Sequence, residues 1–162
     1  MTVTLVLGGS RSGKSGVAER RAGPGAVTYV ATGIADAGDG DMAARIAAHR
    51  ERRPSAWTTV ESDDLVVAIR DSSGTVLVDS LTTWVALATD FSVYAGALCR
   101  ALAGHDGDVI VVSDEVGLGV HPSSEPGRRF RDALGLVNQA VAVVADDVLF
   151  VVAGRLLRLD PA

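Results

Sequence analysis

The chain has 162 residues and one lysine; the other fourteen basic side chains are arginine. It has one cysteine, two tryptophans, two tyrosines and three phenylalanines. A single cysteine excludes an intrachain disulfide and suits a reducing compartment, so a cytoplasmic protein is expected. Cys99 lies in an apolar helical pattern and reads as a small core hydrophobe rather than a nucleophile. With aromatics at 4% and hydrophobic residues at 48%, the core must be built from Val, Leu and Ala. The net charge is −5, with acidic and basic residues interleaved. That pattern lacks the basic face of a general nucleic-acid binder. Membrane-spanning apolar runs are also missing, and Met1 opens directly onto a strand pattern, so no secretory leader is expected.

The lone lysine sits inside Gly8-Gly9-Ser10-Arg11-Ser12-Gly13-Lys14-Ser15. That run matches G-x-x-x-x-G-K-[ST] in full, and its context is the one the motif requires. Val3 to Leu7 reads as a buried strand and Ser15 to Arg21 as a helix. The glycines let backbone N–H groups turn towards phosphate oxygens, and the helix start adds partial positive charge. Lys14 supplies a compact ammonium for the phosphate chain, and Ser15 a hydroxyl for Mg²⁺.

Further strands are expected at Val27 to Ala31, Trp57 to Glu61, Thr75 to Asp79 and Val109 to Ser113, with a terminal pair at Val148 to Ala153 and Leu156 to Leu159. Helices are expected from Asp41 to Arg53, from Asp63 or Asp64 to Arg70, and from Ser80 to about Ala103 with a break near Asp90. A last long helix runs from Arg128 to Ala145, preceded by a loop from Gly117 to Gly127. Such alternation predicts a single α/β domain over 1–162, a mostly parallel sheet with helices on both faces. Ligands of these sheets lie beyond the carboxyl ends of the strands. Lys14, Ala31, Glu61, Asp79 and Asp114 should therefore line one edge.

Asp79 and the Asp114-Glu115 pair each close an apolar strand, where a nucleotide enzyme places a carboxylate for Mg²⁺. A helix N-cap explains an aspartate at such a place equally well. In the 41–53 stretch His49 lies four residues after Arg45, three before Arg52 and four before Arg53. Helical spacing gathers those guanidinium groups around one imidazole. They suit a triphosphate, and as like charges they disfavour the imidazolium, leaving a lone pair for attack at phosphorus. A solvated basic helix face is the plain alternative. His105 reads as structural, in a surface turn. His121 follows a glycine-rich loop where a binding role is open. Glu61 ends its strand facing the nucleotide edge, where a carboxylate can accept the N1–H and N2–H₂ donors of guanine.

These residues, in their order, resemble the bifunctional adenosylcobinamide kinase / adenosylcobinamide-phosphate guanylyltransferase family of cobalamin biosynthesis. The resemblance rests on the phosphate loop, Tyr29-Val30-Ala31-Thr32, Met42 to Arg50, Arg53-Pro54 and Trp57 to Glu61. It continues through Leu77 to Thr82, Glu115 to Gly119, Phe130-Arg131-Asp132 and Val137-Asn138-Gln139. It implies a three-layer P-loop NTPase fold, RecA-like, mostly parallel with one antiparallel strand near the C-terminus, and usually a homotrimer. It implies phosphorylation of adenosylcobinamide with GTP or ATP, then transfer of GMP from GTP through a guanylyl-histidine that falls on His49. Nucleotide contacts carry over to Gly8 through Ser15, Ala31, Thr32, Gly33, Arg50, Glu51, Arg52, Arg53, Glu61 and Asp79, with Arg45 added from its spacing. Ser15, Asp79 and Glu115 are the expected Mg²⁺ ligands, and the partners are the corrinoid and nucleotides, with neither nucleic acid nor a membrane. The chain departs from the family at Asp114, where Asn is usual, at Ser80 for Cys, at Leu136 for Arg, and in a shorter 84–107 segment. Two other classes share the phosphate loop: a phosphate-loop kinase without nucleotidyl transfer, and a non-catalytic nucleotide-binding subunit. A GTP-dependent switch protein would need an Asn-Lys-x-Asp motif, which the single lysine excludes.

Overall fold

The computed structural model describes residues 1–33 and 53–161. The expected helix from Asp41 to Arg53, with His49, Arg45, Arg50, Glu51 and Arg52, lies outside the described residues except for Arg53.

The phosphate-loop strand β1 (Val3–Gly8) is buried at every position. It leads through the loop into α1 (Lys14–Ala22). β2 (Val27–Ala31) and β3 (Trp57–Glu61) follow, then α2 (Leu65–Arg70), which Asp64 caps by accepting from the Val67 N–H. β4 (Thr75–Asp79) leads to α3 (Leu81–Leu87), capped by Ser80. A short 3₁₀ turn, Thr89–Phe91, separates α3 from α4 (Ala95–Ala103). Asp90 takes φ 55° there, so the break expected near Asp90 is a left-handed residue that no helix continues through. β5 (Val109–Asp114), α5 (Glu125–Val144), β6 (Asp147–Val152) and β7 (Arg155–Leu159) complete the order. α5 starts three residues earlier than the periodicity suggested. Ser124 caps it and Pro126 sits in its first turn, where a missing N–H costs nothing.

All seven strands form one sheet in the order β3-β2-β4-β5-β1-β6-β7. Every pairing is parallel except β6 with β7. The chain moves from β1 out to β2 on one side, and from β5 past β1 to β6 on the other. That reversal opens a crevice at the carboxyl end of β1. Strand alternation divides the core. Val3, Leu5, Leu7, Val76, Val78, Val109 and Val111 meet buried residues of α2 through α5 on one face. Val6, Tyr29, Leu77, Ile110 and Val112 meet Val17 and Ala18 of α1 on the other. Helices therefore cover both faces, giving three layers.

Leu98 of α4 is fully buried in the larger cluster, whereas Val143 of α5 is 82% exposed. Replacing Leu98 with Ala removes a packed side chain and leaves a cavity, so it should lower unfolding free energy by about 3 kcal/mol in denaturant titration. Val143→Ala should change it by less than about 0.5 kcal/mol.

Candidate nucleotide site

The loop after β1 is a tight, pre-shaped cradle. The Ser12 N–H donates to the Gly9 carbonyl (3.2 Å), closing a turn. Gly13 takes φ 94°, a left-handed conformation that glycine adopts without strain, and its carbonyl accepts from the Val17 N–H at 3.1 Å to start α1. Gly8 has no space for a side chain: a Cβ there would lie 2.5 Å from Ser12 Oγ and 2.7 Å from the Val151 carbonyl oxygen. The β6–β7 turn buttresses the loop from outside, its Gly154 N–H donating to the Ser12 carbonyl at 2.8 Å.

A cavity of about 800 Å³ opens over this cradle. Ser10 through Gly16 form its floor, with Val17 and Arg20 from α1, Asp114, Glu115 and Val116 from the end of β5, and Gly154. Lys14 Nζ reaches Asp114 Oδ1 at 2.5 Å and donates to the Gly9 carbonyl at 3.3 Å. Glu115 is held at its backbone, its N–H donating to the Gly8 carbonyl (3.1 Å), while its Oε1 accepts from the Gly117 N–H at 2.7 Å. Ser15 and Glu115 thus share one cavity wall with the loop. Mg²⁺ is held by few carboxylates plus substrate phosphates, so this sparse set of hard oxygens fits it. Among the described residues there is no cluster of three or more His, Cys, Asp or Glu side chains suited to a metal.

Asp79 stands differently. It ends β4 two strands from β1, and it is absent from the lining of that cavity. Its Oδ2 accepts from the Tyr29 hydroxyl at 2.7 Å. Burial, reinforced by the Asp79 carboxylate, pushes the Tyr29 hydroxyl far above the ordinary tyrosine range, so it remains a donor at any working pH. The helix-cap explanation does not apply to Asp79, because Ser80 caps α3. No helix starts at Asp114 either, since the next one is capped by Ser124.

The edge continues beyond Asp79. Thr32 Oγ1 donates to the Ser80 carbonyl (2.7 Å) and accepts from the Ser80 N–H (3.1 Å), fastening the end of β2 to β4. A Cβ on Gly33 would meet Thr83 Cγ2 at 2.7 Å. A second cavity of about 570 Å³ lies over β3, lined by Arg53, Pro54, Ser55, Trp57, Thr59 and Glu61. Arg53 places its guanidinium 3.3 Å from the Tyr29 ring centroid and donates to Thr59 Oγ1 at 3.1 Å. Trp57 also stacks on Tyr29, ring centroids 6.4 Å apart. The structure therefore gathers the loop, Ser15 and Glu115 in one cavity and Arg53 and Glu61 in another, with Tyr29 and Asp79 between. His105 Nε2 pairs with the Gly74 carbonyl at 2.8 Å, a structural role at the other end of the sheet. His121 Nδ1 lies 2.8 Å from Arg131 Nη1, and His121 is absent from both cavities.

A family model described as cobinamide kinase / cobinamide phosphate guanyltransferase matches residues 4–159. The chain belongs to this family. The bifunctional adenosylcobalamin biosynthesis protein CobP of Pseudomonas aeruginosa is 44% identical over 162 residues, covering 93% of this chain and 92% of that protein. The protein named CobU in Escherichia coli K12 is 36% identical, covering 93% of this chain and 95% of its own length. A P4 protein from bacteriophage phi6, solved in complex with ADP, aligns with 96% of this chain at a TM-score of 0.50 and 13% identity. The chain spans about half of that protein (52%), and the likeness concerns the fold alone. The mostly parallel P-loop sheet with one antiparallel strand agrees with the resemblance read from the sequence, and the chain is an enzyme of the family.

Tyr29, Thr82, Asn138 and Gly154 support the site without belonging to any motif that states a role for them. Thr82 Oγ1 accepts from the Asp114 N–H at 2.8 Å, and Asn138 Nδ2 donates to the Asp114 carbonyl at 3.0 Å. Their neighbourhood depends on contacts between distant segments that no local spacing encodes. Gly154 alone carried a local signal, a glycine at a tight turn between two strands.

Substituting Gly8 with Ala pushes a methyl group against a backbone carbonyl that cannot swing aside. The loop must shift, and GTP binding measured by calorimetry should weaken by more than about tenfold. Unchanged affinity would show that the cradle tolerates displacement.

Proposed function

We propose that this chain phosphorylates the terminal hydroxyl of adenosylcobinamide with GTP or ATP, then transfers GMP from GTP to the resulting phosphate. The products are adenosylcobinamide-GDP and pyrophosphate. One observation carries the reading: the phosphate cradle with the chain's sole lysine lies at the sheet's switch point, in a chain matched by the family model from residue 4 to 159.

In the kinase step the acceptor oxygen forms a bond to the γ-phosphorus and the bond to the β-phosphate oxygen breaks. The hydroxyl proton passes to solvent and a nucleoside diphosphate leaves. Loop N–H groups from Gly9 to Ser15 and the Lys14 ammonium hold the phosphate oxygens and stabilise charge as it moves to the leaving group. Ser15 and Glu115 would hold Mg²⁺ at the loop, with Asp79 two strands further along the same edge, and the ion would supply further neutralisation of the triphosphate. Tyr29 fixes the orientation of the Asp79 carboxylate on that edge.

In the nucleotidyl step an imidazole nitrogen of His49 attacks the α-phosphorus of GTP and pyrophosphate departs. An oxygen of the phosphorylated acceptor then displaces the histidine, forming the new pyrophosphate linkage and freeing the enzyme. Arg45, Arg50, Glu51, Arg52 and Arg53 belong to the same stretch, and the arginines favour a neutral imidazole beside clamped phosphates. Glu61, on the wall of the second cavity, reads the donor edge of guanine, and Ala31, Thr32 and Gly33 border the base. A carboxylate built for those donors rejects adenine, which leaves it unpaired.

We further read 1–162 as one catalytic domain working in the cytoplasm. Among the described residues no helix is long and apolar enough to cross a membrane. Three copies are expected to assemble, with the edge strand β7, whose Leu156, Leu157 and Leu159 are 48%, 58% and 42% exposed, as a candidate contact.

His49→Asn separates the two steps. Labelling from α-phosphate-labelled GTP, acid-labile and base-stable, should vanish, and formation of the GDP-corrinoid with it. Phosphorylation of adenosylcobinamide should persist, because in-line attack at the γ-phosphate does not use this histidine. Continued labelling of the variant would remove His49 as nucleophile. A wild-type enzyme that phosphorylates the corrinoid but never becomes labelled would instead be a kinase alone.

A further inference from the structure

The one lysine of this chain already has an anionic partner inside the site. Lys14 Nζ lies 2.5 Å from Asp114 Oδ1, and the two side chains are only 13% and 24% exposed, so water screens the pair weakly. The contact brings together the last residue of β5 and the lysine of the loop that follows β1.

Asp114 is not free to follow the lysine. Its backbone N–H donates to Thr82 Oγ1 of α3 at 2.8 Å, and its carbonyl accepts from Asn138 Nδ2 of α5 at 3.0 Å. Two helices on one face of the sheet thus pin the N–H and the carbonyl that flank its side chain. Its side chain is short, so the carboxylate stays beside the loop floor. The lysine is the movable member, with a flexible four-carbon stem. The Oε1 of the adjacent Glu115 is engaged by the Gly117 N–H.

Phosphate oxygens entering the cradle therefore meet an ammonium shared with a fixed carboxylate. They must draw Lys14 away from Asp114 or share it, and they also feel the charge of Asp114 itself. Both effects weaken attraction for a phosphate chain, and neither touches the nucleoside. Building on the reading that this cavity binds nucleoside triphosphate, we propose that Asp114 is a positioning residue. It restrains Lys14 and thereby sets the affinity of the site for the triphosphate. Thr82 and Asn138 hold Asp114 in place, so α3 and α5 act on the lysine through it.

Asp114→Asn keeps the shape and both backbone hydrogen bonds while removing the charge. The variant should bind GTP about fivefold more tightly, the scale of one partly exposed ion pair, with guanosine affinity unchanged. Asp114→Ser, smaller and also uncharged, should act in the same direction. The single lysine provides a direct reporter. In protein labelled with ¹⁵N lysine, the Lys14 ammonium gives one side-chain nitrogen signal. That signal should move in Asp114→Asn without nucleotide, and in wild type when GTP is added. An unmoved signal in the variant would show that no such pair exists. Weaker GTP binding in the variant would show that the carboxylate assists binding through the metal. Either result overturns the proposal while leaving the nucleotide site intact. Failure of the wild type to bind GTP at all would overturn the nucleotide site, and the proposal with it.

Discussion

Gly8 and Asp114 are register partners across the parallel pair β1 and β5. That single alignment brings a strand end with no room for a side chain next to a strand end that carries a carboxylate. The loop turns out of the sheet at Gly8, passes under the β6–β7 turn through the Gly154 contact, and returns as α1. Lys14 then meets Asp114 because both strands stop at the same height. If the register slipped by one residue, every buried side chain of β1 would change faces and the cradle would lose its wall.

The same edge joins two regions with different chemistry. Over β1 and β5 the site is a phosphate cradle with oxygen donors beside it. Over β3 it is an arginine, a tryptophan and a glutamate around a second, smaller cavity. Tyr29 lies between them. Its hydroxyl holds Asp79, its ring carries the Arg53 guanidinium, and Trp57 stacks against it. A residue that supports a carboxylate on one side and a guanidinium on the other couples the geometry of the two regions. This suits an enzyme that handles a nucleotide at its γ-phosphate in one step and at its α-phosphate in the next.

Much of this was legible in the sequence because it is encoded locally. The phosphate loop is a contiguous motif, and strands such as Thr75–Asp79 are runs of β-branched and aliphatic residues bounded by turn formers. The β3 limits matched at Trp57 and Glu61, although β3 is largely exposed, because polar loops flank it on both sides. The start of α5 precedes its helical periodicity because Pro126 and Gly127 have the character of loop residues. Only the Ser124 cap, a hydrogen bond of side chain to backbone, makes them the first turn. Partners such as Tyr29 with Asp79, or Asn138 with Asp114, are 50 and 24 residues apart in the chain, and the register that joins them is a property of the whole sheet. The residue with the most specific proposed chemistry, His49, rests on helical spacing and on the family, since it lies outside the described residues.

A covalent guanylyl-enzyme is the centre of the account. Intact mass spectrometry of the wild-type protein, after incubation with GTP and Mg²⁺ without corrinoid, tests it most directly. A mass gain of one GMP per chain is expected, lost on mild acid treatment and absent when ATP replaces GTP. A protein that binds GTP but gains no mass under these conditions would contradict it.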